Sequence, residues 1–373
     1  MQKHLILVFL FSVIFSNIIF AQQNLSATES RNDLVADNML LWQRVNGGWP
    51  KDTYNVFFDD AKTDIDNDIN KEKTTAIKVP INYYKAQSAE QRELALKSKN
   101  FTDATIDNSH TVREIRYLLE AFKKTKNSLY LEGATKGVDY LLKAQYANGG
   151  WPQFYPDRKT YRHDITYNDN AMANVMNLMK DISLKMNNTV LLNEKYIPLA
   201  ETAFNKGVEI IVKTQWEANG KKTVWCAQYD EVTLLPAKAR AYELPSLSGN
   251  ESAELVRVLM RVDHPSAATI QAINNAIDWF ELSKIKGFKT QRIKDPMQPN
   301  GQDVIVVPEE NAVMWARFYD LETNKPFFCD RDGIKKNTLA EIGNERRTGY
   351  AWYGIWPLKL IEEEYPAWKK SHL

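Results

Sequence analysis

The side chains best suited to chemistry lie in short polar runs, each just ahead of an apolar stretch with helical spacing. Asp107-Asn108, Asn168-Asp169-Asn170 and Gly249-Asn250-Glu251 are such runs. An Asx residue in that position caps a helix by satisfying an orphan backbone N–H, a contribution of about 1 kcal/mol. Capping is the simplest reading of Asp107, Asn108, Asp169 or Asn250 taken alone. A run of three polar residues exceeds that need, and carboxylate and amide oxygens gathered on one rim suit a hard cation such as Ca²⁺. A second concentration of chemistry lies between Pro236 and Pro245, where Lys238, Arg240 and Tyr242 alternate. In an extended chain these three share one face, and two cations beside a phenol suit an anionic ligand. A solvated edge strand would give the same pattern. Arg317, Arg331, Arg346 and Arg347 form a further basic set, and guanidinium is the group that binds carboxylates in bidentate fashion.

Other chemistries are poorly supported. The chain has no Gly-rich phosphate loop, no His-Glu-x-x-His and no Gly-x-Ser-x-Gly, which argues against phosphate, zincin and α/β-hydrolase sites. Among its five histidines, His110, His163 and His264 show no ligand spacing. Two cysteines, Cys226 and Cys329, make neither a disulfide scaffold nor a four-ligand zinc site. The acidic run Asp59, Asp60, Asp64, Asp66 and Asp68 lacks the central Gly and closing Glu of an EF-hand, so residues 52–74 read as loop. The 48 Lys and Arg against 47 Asp and Glu give no field for nucleic acid. Trp49, Trp151 and Trp225 follow Gly turns, and Trp352 and Trp356 cluster with Tyr350 and Tyr353. These rings are sugar platforms or core, and core is the commoner use.

The elements that must position these residues are mainly helical. Apolar residues recur at helical spacing over 34–45, 109–124, 131–144, 171–182, 199–214, 251–262 and 267–285. Residues 286–308 read as short extended segments, with 304–307 a strand, and 349–368 as a last helix interrupted at Pro357. The sequence also echoes itself. Leu40-Leu41-Trp42-Gln43 leads to Asn46-Gly47-Gly48-Trp49-Pro50, and Leu141-Leu142-Lys143-Ala144-Gln145 leads to Asn148-Gly149-Gly150-Trp151-Pro152. A looser third copy runs from Ile210 through Gln215 and Asn219-Gly220 to Trp225. Helices ending in Gly turns alternate with helices opening on Asx runs, as a toroid of stacked helix pairs requires.

The first residues read differently. Lys3 precedes an almost wholly apolar run from Leu5 to Phe20, followed by Ala21. This is the pattern of a secretory signal peptide spanning 1–21. Residues 22–373 are then a single catalytic domain with no membrane span, working as a monomer in the periplasm or outside the cell.

Several blocks together carry a family resemblance: Gly47-Gly48-Trp49-Pro50-Lys51, Ile106-Asp107-Asn108, residues 148–156, residues 166–172, residues 225–252 and residues 346–353. From Gly47 to Pro357 the chain resembles the pectate lyases of polysaccharide lyase family ten. The resemblance implies a mainly α fold, an (α/α)₃ toroid with short β segments and long loops. It implies cleavage of polygalacturonate, de-esterified pectin, by calcium-assisted β-elimination that leaves 4,5-unsaturated oligogalacturonates. The family's calcium ligands match Asp107, Asn108 and Asp169, and its arginine base matches Arg240, so Arg240 and Asp107 are the expected catalytic residues. Arg317 and Arg331 fit its substrate-carboxylate contacts, beside Lys238 and Tyr242. Ser109-His110 replaces the small residues usual after the Asp-Asn pair. Lys238 is the alternative base, because free Arg has a pKa above about 12. Two other readings compete. One is a glycoside hydrolase pairing Asp169 with Asp230 or Glu243, and the other is a non-catalytic binder of acidic sugars.

Overall fold

A computed structural model describes residues 32–51, 53–56 and 77–372. The expected signal peptide and the whole acidic run from Asp59 to Asp68 lie outside the described residues. Thr53–Val56 pairs antiparallel with Ile77–Pro80, so that part of the expected loop is strand.

Helices α1 (Leu34–Trp42), α4 (Ser128–Ala144), α6 (Tyr196–Thr214) and α8 (Ala267–Leu282) pack side by side as an outer row. Helices α3 (Val112–Thr125), α5 (Ala171–Ser183) and α7 (Glu251–Leu259) form the inner row. The hairpins α3–α4, α5–α6 and α7–α8 are three inner–outer pairs, the (α/α)₃ toroid. The short α2 (Ala89–Lys97) packs against α1 and was not expected. The middle inner helix, α5, is buried on nearly every side, because a helix with packed neighbours on all faces has no solvent stripe.

The sequence echo is a repeated set of bonds. Gln43, Gln145 and Gln215 each end an outer helix. Their side-chain amides donate both to the chain just ahead, at Gly47, Gly149 and Thr223 (2.8, 3.0 and 2.9 Å), and to the next outer helix, at Gly133, Ala203 and Ala272 (2.9, 2.8 and 2.8 Å). The indoles of Trp49, Trp151 and Trp225 donate back to Met39, Leu141 and Ile211 in the preceding outer helix (2.7, 2.8 and 2.6 Å). Trp315 does the same to Phe280, at 2.9 Å, which makes a fourth copy the sequence did not reveal. These four rings are fully buried and belong to the core. Gly47 needs its left-handed backbone (φ +97°), and a Cβ there would sit 2.1 Å from the carbonyl oxygen of Lys136.

Other expectations need correction. Asn219-Gly220 is the tip of a hairpin between Glu217–Ala218 and Lys221–Lys222. Both tip residues have positive φ, as such a tight turn demands, so this pair ends no helix. Ile285 starts a strand instead of ending a helix, and Ile285–Lys294 pairs with Gln302–Ala316 in one long, mostly exposed hairpin. The tail is a helix Asn344–Gly349 (α9), a strand Tyr353–Gly354 paired with Trp315 and Ala316, and a final helix Tyr365–His372 (α10). That pairing draws the backbone around Tyr353 out of any helix. Cys226 and Cys329 are both free and buried. No described helix is long and apolar enough to cross a membrane.

Candidate active site

The heads of α3 and α5 carry the first candidates. Each is preceded by a three-residue turn, Asp107–Ser109 and Asn168–Asn170, and the two turns pack together. Their backbones repeat: Asn108 and Ser109 have φ 49° and 65°, and Asp169 and Asn170 have φ 50° and 58°. Asn108 and Asp169 therefore hold the same place in their turns. Asx residues enter the left-handed region more readily than most others. None of these side chains caps its helix, and Asn250 does not cap α7, so capping does not account for them. Asp107 is buried, and neither its Oδ1 nor Oδ1 of Asn170 has a hydrogen-bond partner among the described residues. Its Oδ2 faces the Nζ of Lys51. Asp169 is pushed above the usual carboxylate range by burial and by the Glu251 and Asp107 charges, against the pull of Arg317. The donors on this rim are all hard oxygens, two of them buried and unsatisfied, a set that fits a cation such as Ca²⁺.

Arg317 ties the rim together from the end of the long hairpin. One terminal nitrogen donates to Asn168 Oδ1, Asp169 Oδ1 and Glu251 Oε1 at 3.3, 3.2 and 2.6 Å. Its Nε is buried with no hydrogen-bond partner among the described residues, and the guanidinium lies 4.7 Å from the Tyr350 ring. Burial works against its charge, but Glu251, Tyr350 and Asp169 outweigh burial and keep it protonated.

Arg240 forms the other wall. Its Nε and one terminal nitrogen grip Glu243 at 2.8 and 2.5 Å, and Tyr350 donates to the same carboxylate at 2.9 Å. Burial opposes charge on both partners. The pair nonetheless drives Glu243 below and Arg240 above its ordinary range. The remaining terminal nitrogen makes no hydrogen bond among the described residues. The chain turns here, with Glu243 N donating to Arg240 O at 2.9 Å, so Lys238, Arg240 and Tyr242 do not share one extended face. Tyr242 is only 2% exposed. It is a buried platform beneath three guanidiniums, Arg346, Arg240 and Arg331, at 4.7, 5.0 and 6.0 Å. Arg331 is exposed and paired with Glu345 at 3.1 Å. Lys238 is exposed.

A family model for pectic acid lyase matches residues 43–361. The chain belongs to the pectic acid lyase family. Two solved structures of the family 10 polysaccharide lyase from Cellvibrio cellulosa are 32% identical to it, each with a TM-score of 0.72. One, a substituted form in complex with trigalacturonic acid, covers 89% of this chain and 92% of its own. The other covers 91% and 92%. A search of curated proteins gives no match.

The family assigns the activity, and this chain is a pectate lyase. The carboxylates considered for a hydrolase are engaged elsewhere. Asp230 Oδ1 accepts three bonds within its own turn, from Val232 N, Thr233 N and Thr233 Oγ1, and Glu243 is the counter-ion of Arg240. Sequence reasoning gave no role to Lys51 or Glu251, although Lys51 stands in the Gly-Gly-Trp-Pro-Lys block and Glu251 follows an Asx run. It also passed over Tyr161. Burial pushes that phenol up to about 12, and the charges acting on it are Arg240, Glu243 and Asp107.

Proposed function

We propose that this pectate lyase cleaves polygalacturonate by calcium-assisted β-elimination at the rim formed by the heads of α3 and α5. Asp107, Asn108 and Asp169 would hold the ion. The observation that carries this reading is the pair of matched left-handed turns that bring unsatisfied acidic and amide oxygens together beside the buried guanidinium of Arg317 and the half-exposed one of Arg240. The lyase from Cellvibrio cellulosa in complex with trigalacturonic acid supports the same ligand class here.

The C5 proton of a galacturonate unit is weakly acidic, because the adjacent carboxylate resists further negative charge. Calcium, when bound, would neutralise that carboxylate and stabilise the charge that develops on it. Arg317 orients Asp169 and Glu251 and adds positive charge at the rim. Arg240, once it has given up a proton to solvent from the terminal nitrogen that Glu243 leaves free, takes the C5 proton there. The C4–O bond breaks as the C4–C5 double bond forms, and the departing oxygen takes a proton from water. Glu243 opposes this step, since it holds Arg240 protonated, and the nearby charge of Arg346 works against Glu243. Lys238 is the second base candidate, exposed and without an ion pair among the described residues. Arg331 and Lys238 line the approach for substrate carboxylates, and Tyr242 supports the guanidiniums from below. The same reading has residues 1–21 removed on export and residues 22–373 acting as one monomeric catalytic domain.

The test is incubation of the mature chain with polygalacturonate while near-ultraviolet absorbance is followed. The expected result is an absorbance rise from the new double bond, abolished by excess chelator and restored by Ca²⁺. Rising reducing ends without absorbance would replace elimination with hydrolysis.

A further inference from the structure

Away from the rim, one trio of metal-capable side chains closes up among the described residues: His163, Asp164 and Glu231 each place a ligand atom within 4.8 Å of the others. The fold builds this trio. Strand Ile165–Thr166 pairs antiparallel with Gln228–Tyr229, so the residues just before the first strand meet those just after the second. The carboxylates are nearly closed off from solvent, with 8% of the Asp164 side chain and 9% of the Glu231 side chain exposed. Glu231 is well satisfied: Oε2 takes His163 Nδ1 at 2.8 Å, and Oε1 takes the Arg158 guanidinium. An ion network of Arg158, Glu231 and His163 accounts for that much.

It does not account for Asp164. Its Oδ1 lies 3.7 Å from His163 Nδ1, beyond a hydrogen bond. Its carboxylate accepts no hydrogen bond from any described residue, and burial pushes the group up to about 7. A buried carboxylate left unmatched is costly. A cation between the three groups would satisfy all of them, displacing to solvent the proton that His163 Nδ1 now shares with Glu231. Bonds of 2.0–2.1 Å in a tetrahedron set ligand atoms about 3.3 Å apart. The separations here, from 2.8 Å to no more than 4.8 Å, span that value. One imidazole nitrogen with two carboxylate oxygens is a donor set for zinc-like ions, unlike the all-oxygen set of the rim.

We propose that His163, Asp164 and Glu231 bind one divalent transition-metal ion of the zinc class. Arg158 stays on the outer oxygen of Glu231. The ion has a structural role. It clamps the segment carrying Tyr161 to the turn at 230–235, from which the chain runs on to Lys238 and Arg240.

The test uses the full mature chain, stripped with chelator and dialysed with Zn²⁺ or Co²⁺ in the presence of excess Ca²⁺ to occupy the rim. Elemental analysis should find one Zn²⁺ per chain, falling to near zero in His163→Gln and in Asp164→Asn. Co²⁺ should give visible absorption bands that His163→Gln removes. Zn²⁺ should raise the wild-type melting temperature by several degrees and leave both variants unmoved. A wild type that takes up neither ion overturns the proposal, whatever the variants do. So does full stoichiometry retained in His163→Gln, which would place the ion elsewhere.

Discussion

Replacing Arg317 with Ala removes the only cation that bonds at once to Asn168, Asp169 and Glu251 among the described residues. The three contacts measure 3.3, 3.2 and 2.6 Å, and the Arg317 and Glu251 side chains are 7% and 1% exposed. Deleting one partner of a buried ion pair typically costs about 3–5 kcal/mol, because the remaining charge stays buried and uncompensated. Glu251 is that remaining charge. For a chain of 373 residues each kcal/mol lowers the melting temperature by roughly 1.3 °C, so the expected loss is about 4–7 °C. The assay is thermal and urea unfolding of wild type, Arg317→Ala, Glu251→Gln and the double variant, all in chelator. The double variant should recover roughly 1–3 kcal/mol relative to the sum of the single losses, because a neutral amide needs no counter-ion. A single loss below about 1 kcal/mol, or strictly additive losses, would refute Arg317 as the strut of the rim.

Further predictions concern the frame. Gly47→Ala should cost about 2 kcal/mol or more in urea unfolding, since its Cβ meets the backbone oxygen of Lys136, and Gly149→Ala should match it against Lys206. Gly220→Ala, with open space around it, should cost clearly less. Gln145→Leu should lower stability by roughly 1–3 kcal/mol by leaving the Gly149 carbonyl unpaired and removing the second bond that the helical Ala203 carbonyl accepts. Lys99 donates to Leu40 O and Gln43 O, and burial, with Arg44 and Lys136, lowers it to about 8. The unfolded chain then binds more protons between about pH 8 and the ordinary lysine value, so this residue's contribution to stability rises with pH across that window. Unfolding at pH 7.5, 9 and 10 should show wild type gaining on Lys99→Met. A constant difference would contradict the assignment.

The helical frame was legible because each helix carries an apolar stripe and the Gln–Gly–Trp elements recur. Local spacing also marked the Asx turns as exceeding the needs of capping. What it could not supply were bonds between distant positions. Arg317 meets Glu251 and Asp169 across separations of 66 and 148 residues, and no pattern near Arg317 announces them. Residues 286–308 read only as short extended segments with a strand at 304–307. Their pairing into one long hairpin went unread because its strands are mostly exposed and lack the alternation that a core face imposes. Alternation misled at Tyr242. The turn closed by Glu243 onto Arg240 reverses the chain and buries the ring. His163 showed no ligand spacing because Glu231 is supplied by a strand pair 68 residues further on.

The most direct test of the account is the initial rate of near-ultraviolet absorbance on polygalacturonate with saturating Ca²⁺, for wild type, Arg240→Ala, Lys238→Ala and Asp169→Ala. Calcium binding would be checked separately by titration calorimetry. The account predicts that Arg240→Ala binds calcium as wild type does but loses at least about a thousandfold in rate. Lys238→Ala should keep most of the rate, and Asp169→Ala should lose calcium and activity together. Full activity in Arg240→Ala alongside an inactive Lys238→Ala would move the base to Lys238. Normal calcium binding by Asp169→Ala would contradict the rim itself.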